Sequence, residues 1–305
     1  MAKRIIISGG GTGGHIFPAI AIAHALKRLA PETELLFVGA NGRMEMEKVP
    51  AAGYAIVGLD IQGINRKQLW KNLVLPFKLL RSLWKARQIV RGFKPDVAVG
   101  VGGYASGPLI HMAARLGVPC LIQEQNSYAG VTNRRLAGRV ARICVAFEGM
   151  ERFFPNEKLL FTGNPIRREA VDIQNKRSEG AALFGLSPDK KTILLTGGSL
   201  GARTLNTSIA AGLEKLKQAD VQLIWQCGAF YYDTFQASLG DRYRDRVKLT
   251  AFLHRMDLAY AVADVIIARA GAGTIAELCA VGKPAILVPS PNVAEDHQTK
   301  NAQAL

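Results

Sequence analysis

The stretch Arg4-Ile5-Ile6-Ile7-Ser8-Gly9-Gly10-Gly11-Thr12-Gly13-Gly14-His15-Ile16-Phe17-Pro18 decides how the rest of the chain is read. It begins as a short β-branched run, the pattern of a strand buried on both faces. Glycines then fill five of the six positions 9–14, and a helical pattern starts beyond them. Pro18 falls near the start of that helix, where a missing N–H costs little. Glycines let a backbone approach a ligand closely, and the unpaired N–H groups and dipole of a helix start attract anions. The stretch reads as strand, anion-binding turn, helix.

The same alternation continues along the chain, which argues for βαβ units and parallel sheets. Strands are expected at Arg4–Ser8, Glu34–Gly39, Tyr54–Gly58, Asp96–Gly102, Pro119–Glu124 and Ala141–Ala146. A second set is expected at Thr192–Thr196, Val221–Gln226, Val247–Phe252, Asp264–Ala268 and Pro284–Val288. Between the sets lies Phe161-Thr162-Gly163-Asn164-Pro165-Ile166-Arg167, rich in turn residues. It places two domains at 1–163 and 164–305. The final segment from Ala294 to Leu305 reads as a helix that has just begun, so the second domain is expected to be incomplete at its C-terminus.

Ser8–His15 aligns with Thr196-Gly197-Gly198-Ser199-Leu200-Gly201-Ala202-Arg203, a weak internal repeat. Two further glycine turns follow strands, Gly102-Gly103-Tyr104-Ala105-Ser106-Gly107 and Arg269-Ala270-Gly271-Ala272-Gly273-Thr274. One such turn alone can be no more than a tight βα connection. Four of them, all after strands, belong on the edge where open α/β sheets bind ligands. Two facing domains of this kind form a cleft for two phosphorylated substrates. The pattern Gly9-x-Gly11-x-x-Gly14 also fits a dinucleotide fingerprint, which leaves an NAD(P)-binding oxidoreductase as an alternative. That site wants an acid closing the second strand. Here the strand ends Val38-Gly39-Ala40-Asn41, and Glu32 and Glu34 precede or open it.

The 305 residues are 49% apolar and 21% charged, with a net charge of +15. That composition is globular, and the charge calls for anionic partners. Cys120, Cys144, Cys227 and Cys279 form no metal-ligand or C-x-x-C spacing, and read as inert core thiols of a reducing compartment. No D-x-D follows a strand, and His15, His24, His111, His254 and His297 are scattered. No metal site is indicated and no cofactor is required, with a diphosphate-bound Mg²⁺ left as an option. Residues 66–94 hold nine Lys/Arg and no acid, interleaved with Leu69, Trp70, Leu73, Leu75, Phe77, Leu79, Leu80, Leu83 and Trp84. This mixture suits an anionic membrane surface, or else a core helix with a solvated basic face. No nucleic-acid motif accompanies the charge, and no apolar run is long enough to span a bilayer.

Several motifs together are similar to those of the MurG family. They are Gly10-Gly11-Thr12-Gly13-Gly14-His15-Ile16-Phe17-Pro18, Gly102-Gly103-Tyr104-Ala105-Ser106-Gly107-Pro108, Glu124-Gln125-Asn126, Gly163-Asn164-Pro165-Ile166-Arg167, Gly197-Gly198-Ser199-Leu200-Gly201-Ala202-Arg203 and Asp296-His297-Gln298. The resemblance runs in order from residue 5 to the end. Family members usually continue some tens of residues further, with a helix returning to the first domain. It implies a GT-B glycosyltransferase of two Rossmann-like domains, peripheral on the cytoplasmic face of the bacterial inner membrane. The implied reaction transfers GlcNAc with inversion from UDP-GlcNAc to the muramoyl 4-hydroxyl of undecaprenyl-pyrophosphoryl-MurNAc-pentapeptide, turning lipid I into lipid II. Alternatives are a related UDP-sugar lipid glycosyltransferase, a UDP-sugar epimerase and a noncatalytic membrane-binding protein.

Inverting transfer needs a base for the acceptor and stabilisation of departing UDP. His15 follows the first glycine turn and titrates near neutral pH, which makes it the first candidate base; Glu124 is the second. Ser199, Gly201 and their turn are expected at the diphosphate, with Arg167 offering forked donors to its charge. The resemblance assigns Glu277 to the ribose, Ala272, Gly273 and Thr274 to the nucleotide, Leu253 to the uracil through its backbone, and Asn126 and Gln298 to the sugar. Thr12, Gly13, Gly14 and Tyr104 are assigned to substrate on the same grounds.

Overall fold

A computed structural model describes residues 2–63, 74–198, 200–291, 293 and 296–305. The chain divides into two compact units, one reaching Ile166 and one running from Arg167 to Gln303.

The first unit holds a seven-stranded sheet in the order β3-β2-β1-β4-β5-β6-β7. Its strands are β1 (Arg4–Ser8), β2 (Glu34–Ala40), β3 (Ala55–Leu59), β4 (Val97–Gly100), β5 (Cys120–Glu124), β6 (Arg142–Val145) and β7 (Leu159–Phe161). All pairings are parallel. The crossovers are α1 (Gly13–Leu29), α2 (Glu45–Ala51), α3 (Leu75–Phe93), α4 (Ser106–Arg115) and α5 (Val131–Leu136). Successive strand residues point to opposite faces, and the core divides accordingly. Ile7, Phe37 and Val99 pack with Ile16, Ala19 and Ile20 of α1 and Val49 of α2. Ile6, Val38, Ala98 and Ile122 pack with Ala86 and Val90 of α3 and Leu109 and Ile110 of α4. Burial on both faces is why the first strand reads as an unbroken apolar run.

The second unit repeats the plan with five strands in the order β10-β9-β8-β11-β12. These are β8 (Thr192–Thr196), β9 (Gln222–Gln226), β10 (Val247–Thr250), β11 (Val265–Ala268) and β12 (Ala285–Leu287), again all parallel. The helices are α6 (Arg168–Val171), α7 (Arg177–Phe184), α8 (Arg203–Gln218), α9 (Ala229–Leu239), α10 (Met256–Val262), α11 (Ala272–Val281) and α12 (His297–Gln303). Leu194, Ile224 and Ile266 pack with α7, α10 and α11 on one face. Leu195, Leu223, Trp225 and Leu249 pack with Leu205 and Leu213 of α8 and Leu239 of α9 on the other.

In both sheets the order reverses beside the first strand, between β1 and β4 and between β8 and β11. The four glycine turns follow these four strands. Each switch point, the crevice where open α/β sheets take ligands, is thus flanked by two glycine turns.

Every expected strand forms, with ends shifted by one or two residues, and three details differ. β7 lies where a linker was expected to begin. Pro18, expected near the helix start where a missing N–H costs little, is the sixth residue of α1, so the bond its N–H would have made to Gly14 is lost, and the helix carries that cost. Cys120 and Cys227 are buried, but Cys144 is only partly covered and Cys279 is exposed on α11, so the four thiols are not all core residues.

Residues 64–73 of the basic segment, Trp70 among them, lie outside the described residues. The rest forms α3, which fully buries Ser82, Ala86 and Val90 and packs the partly buried Leu83, Ile89 and Phe93 on the core. Phe77, Leu80 and Trp84 are 75%, 64% and 61% exposed, so α3 is not simply a core helix with a solvated basic face. Among the described residues no helix is long and apolar enough to cross a membrane.

Candidate active site

In the first unit the two glycine turns meet backbone to backbone. Gly10 donates its N–H to the Gly102 carbonyl at 3.3 Å, and a Cβ on Gly103 would overlap the Gly10 carbonyl. Gly103 also has φ +88°, a conformation glycine adopts without strain. Thr12 is the N-cap of α1, Gly13 and Gly14 open the helix and His15 follows. The His15 imidazole is half-buried and lies against the Cα of Gly102, where a Cβ would stand 2.7 Å from Cδ2 and 2.9 Å from Nε2. Its Nδ1 is 3.3 Å from Thr12 Oγ1. The Tyr104 ring passes within 3.6 Å of a Cβ position on Gly11 and covers Gly63, while 46% of the residue stays exposed. His15, Thr12, Gly13, Gly14 and Tyr104 are therefore gathered at one switch point.

Glu124, at the carboxyl end of β5, is 2% exposed. One of its oxygens accepts from Gly130 N at 3.0 Å and Asn133 Nδ2 at 2.9 Å. The other accepts from Asn126 N and Asn126 Nδ2 at 3.2 and 3.4 Å. Burial raises its pKa, and those four donors oppose the rise. The carboxylate thus closes the loop 126–130 onto the start of α5 and fixes Asn126. A base so fully engaged must give up hydrogen bonds to take a proton.

In the second unit the turns after β8 and β9 also meet. Gly201 has φ +75°, and a Cβ there would overlap the Cys227 carbonyl. Gln226 Nε2 donates to the Gly198 carbonyl at 2.9 Å while its Oε1 accepts from Thr196 Oγ1 at 2.9 Å. Ser199 lies outside the described residues. After β11, Gly271 caps α11, which opens Ala272-Gly273-Thr274 and carries Glu277 one turn on. Tyr260 donates its hydroxyl to Glu277 Oε2 at 2.9 Å. Burial raises the Glu277 pKa, and the Tyr260 bond and the positive charge of Arg167 hold the rise back. Arg167, N-cap of α6, thus lies near the carboxylate expected at the ribose. It also lines a polar cavity of about 390 Å³ with Asp172, Lys176, His254, Arg255 and Asp257. Leu253, whose backbone is expected to meet uracil, is buried. Gln298 is half-buried and its Oε1 accepts from Ser290 N at 2.8 Å, so it is more than a helix-surface residue.

Two residues of these sites were not anticipated. Tyr260 sits in an apolar run and reads as plain core, although a fully buried phenol needs a partner. Glu45, beneath the first glycine turn, carries no motif at all. Among the described residues, no group of three His, Cys, Asp or Glu side chains could hold a metal ion.

Parallel sheets with glycine turns flanking each switch point define an α/β enzyme of the kind that takes phosphorylated ligands at its strand ends. The chain belongs to glycosyltransferase family 28, and within it to the MurG family. The Glycosyltransferase family 28 N-terminal domain matches residues 5–145 and the C-terminal domain residues 192–305. A UDP-N-acetylglucosamine--N-acetylmuramyl-(pentapeptide) pyrophosphoryl-undecaprenol N-acetylglucosamine transferase of Parabacteroides distasonis is 60% identical, with 99% of this chain and 82% of that one aligned. One of the same name from Cytophaga hutchinsonii is 60% identical over 99% and 81%. The crystal structure of Acinetobacter baumannii MurG superposes with a TM-score of 0.74 at 31% identity, covering 99% of this chain and 82% of that one. A putative UDP-N-acetylglucosamine 2-epimerase from Listeria monocytogenes shares the fold alone, with a TM-score of 0.65 at 13% identity over 99% and 82%. The architecture is GT-B, and the chain is a UDP-sugar glycosyltransferase.

Proposed function

We infer that this enzyme transfers GlcNAc from UDP-GlcNAc to undecaprenyl-pyrophosphoryl-MurNAc-pentapeptide, lipid I, and releases lipid II and UDP. The observation that carries this reading is 60% identity across 99% of the chain to a transferase named for that reaction. The muramoyl 4-hydroxyl attacks C1 of GlcNAc from the face opposite UDP, so the new bond is β-1,4. His15 accepts the hydroxyl proton as the C1–O bond to UDP breaks. The acceptor lies at the turns of the first unit, and UDP at those of the second. There Glu277 takes the ribose hydroxyls, the turn containing Ser199 and Gly201 meets the diphosphate, and Arg167 offsets its charge. The leaving group is stabilised by these N–H groups and the arginine, without a step that calls for a metal.

The enzyme works at the cytoplasmic face of the plasma membrane, held peripherally by α3. Residues 1–166 carry 22 Lys/Arg against 10 Asp/Glu, while 167–305 carry 17 against 14. The excess positive charge thus belongs to the unit that bears the exposed Phe77, Leu80 and Trp84. Cations beside an anionic bilayer contribute about 1 kcal/mol each.

The test is UDP release from UDP-GlcNAc with and without the lipid-linked acceptor. Release is expected only with it, alongside a disaccharide lipid product. Turnover on UDP-GlcNAc alone would point instead to hydrolysis or epimerisation. UDP-Glc used as well as UDP-GlcNAc would favour the related glycolipid transferases. His15→Ala should lower kcat about 100-fold or more with UDP affinity kept, and unchanged turnover would remove His15 from the mechanism.

A further inference from the structure

The first glycine turn is braced from below by a buried carboxylate. Glu45 opens α2 and is 0% exposed. Its Oε1 accepts the Ala40 N–H at 3.0 Å, and its Oε2 accepts the Gly11 N–H at 3.0 Å. A Cβ on Gly10 would overlap Oε1, and one on Gly39 would stand 2.6 Å from Glu45 Cγ. These two glycines therefore serve as clearance for an internal anion. A buried carboxylate persists where its oxygens are bonded, and here both are. The contacts then continue upward. Gly10 bonds to Gly102, Gly103 packs on the Gly10 carbonyl, and Gly102 leaves room for the His15 ring.

We propose that Glu45 is a positioning residue for the acceptor side of the reaction. Its carboxylate ties the Gly11 N–H to the Ala40 N–H at the end of β2. It thereby fixes Gly10–Gly11, and through them Thr12–His15 and the Gly102–Gly103 turn. This rests on the reading that places the acceptor in the first unit. It also makes the two aligned turns chemically unlike. The Gly11 N–H is committed to the protein through Glu45. The matching turn in the second unit is braced by the neutral Gln226 instead. Within the dinucleotide fingerprint Gly9-x-Gly11-x-x-Gly14, the Gly11 N–H is therefore already engaged from within.

The test compares the full chain with Glu45→Ala and Glu45→Gln. Steady-state kinetics in both substrates, calorimetric UDP binding and hydrogen exchange at the Gly11 and Ala40 amides are measured. Glu45→Ala should lower kcat/KM for the lipid acceptor about 30-fold, with the UDP Kd within about twofold, and both amides should exchange about tenfold faster. Glu45→Gln keeps the size and one acceptor oxygen but turns an NH₂ toward the other N–H. It should recover part of the loss, to about fivefold below wild type. Acceptor kcat/KM unchanged in Glu45→Ala, or an equal loss of UDP affinity, would overturn the proposal. Should Glu45→Ala fail to fold, unchanged acceptor kinetics in Glu45→Gln would do the same. If the wild-type enzyme transfers nothing to the lipid, the functional reading fails. Slow exchange at Gly11 and Ala40 then supports the brace, and fast exchange sinks it.

Discussion

Tyr260 and Glu277 are joined by a 2.9 Å hydrogen bond from a phenol that is 1% exposed to a carboxylate on the helix after the fourth glycine turn. The bond uses Oε2 and leaves Oε1 for the ribose diol proposed above. Burial, chiefly, raises the pKa of both groups. The folded chain thus holds the Glu277 proton more tightly than the unfolded chain does. The ionised carboxylate costs stability at neutral pH, and that cost fades as pH falls through the folded value. Glu277→Gln should therefore melt higher than wild type at pH 7, with the gain shrinking in acid. If Glu277 takes the ribose hydroxyls as proposed, the same variant should bind UDP about 10- to 100-fold more weakly, through loss of charge-assisted bonds. Calorimetry across pH checks both, and an unchanged UDP affinity would take Glu277 out of the nucleotide site.

Asp257 behaves in the opposite sense. Hydrogen bonding to Arg255, then to Lys176, holds its carboxyl down to about 2 against burial. The bonds are 2.9 Å to Arg255 from each oxygen and 3.2 Å to Lys176. This group adds stability above its unfolded value, and that stability is lost as pH falls toward about 2. Asp257→Asn should destabilise the second unit by about 2 kcal/mol at pH 7. The gap from wild type should close between the unfolded value near 3.8 and about 2. Urea unfolding at neutral and acid pH measures it, and a pH-independent gap would show that packing, not charge, matters there.

The sheets were legible because buried parallel strands are short apolar runs, and β1, β4, β8 and β11 lead into glycine turns. β7 was not, since Leu159–Phe161 is three residues long and pairs only with β6, so its apolar run blends into the turn residues after it. Glu45 was invisible for another reason. It lies between Met44 and Met46, with Arg43 and Glu47 beyond, in an ordinary polar helix start. Only the tertiary approach of Gly10 and Gly39 makes it an internal anion. Glu124 was legible as a carboxylate at a strand end. Its role was not, because the donors that engage it come from Asn126, Gly130 and Asn133, local in sequence but gathered by the loop.

Two glycines of the second unit should respond differently to alanine. At Gly201 a side chain meets the Cys227 carbonyl and φ is +75°, so Gly201→Ala should cost about 3 kcal/mol through clash and left-handed strain together. Gly273 lies inside α11 with no atom within 4 Å of a Cβ position. Gly273→Ala should keep or raise stability by about 0.5–1 kcal/mol. If Gly273 lines the nucleotide as expected, that stable variant still loses UDP affinity. Melting curves and UDP titrations of both separate a folding role from a binding one, and a Gly273→Ala enzyme with full affinity would discard the assignment.

The exposed row on α3 gives the remaining prediction. Phe77, Leu80 and Trp84 recur at helical spacing and are each more than half exposed, with Lys78 and Arg81 between them and Lys85 just beyond. Water gains nothing from three such side chains, whereas a bilayer interface takes up each for about 1.5–3 kcal/mol at full burial. Replacing all three by serine should leave the melting temperature nearly unchanged, because α3 meets the core through Ser82, Leu83, Ala86, Ile89, Val90 and Phe93 instead. Binding to vesicles rich in anionic lipid should fall about 30-fold or more. Arg81→Gln with Lys85→Gln should weaken binding less, and mainly at low salt, because charge attraction is screened while apolar insertion is not. Turnover on a short-chain acceptor dissolved in detergent should stay within about twofold, since the glycine turns are untouched. Co-sedimentation with vesicles settles the matter. If the triple variant binds as well as wild type, α3 is not the membrane-facing surface.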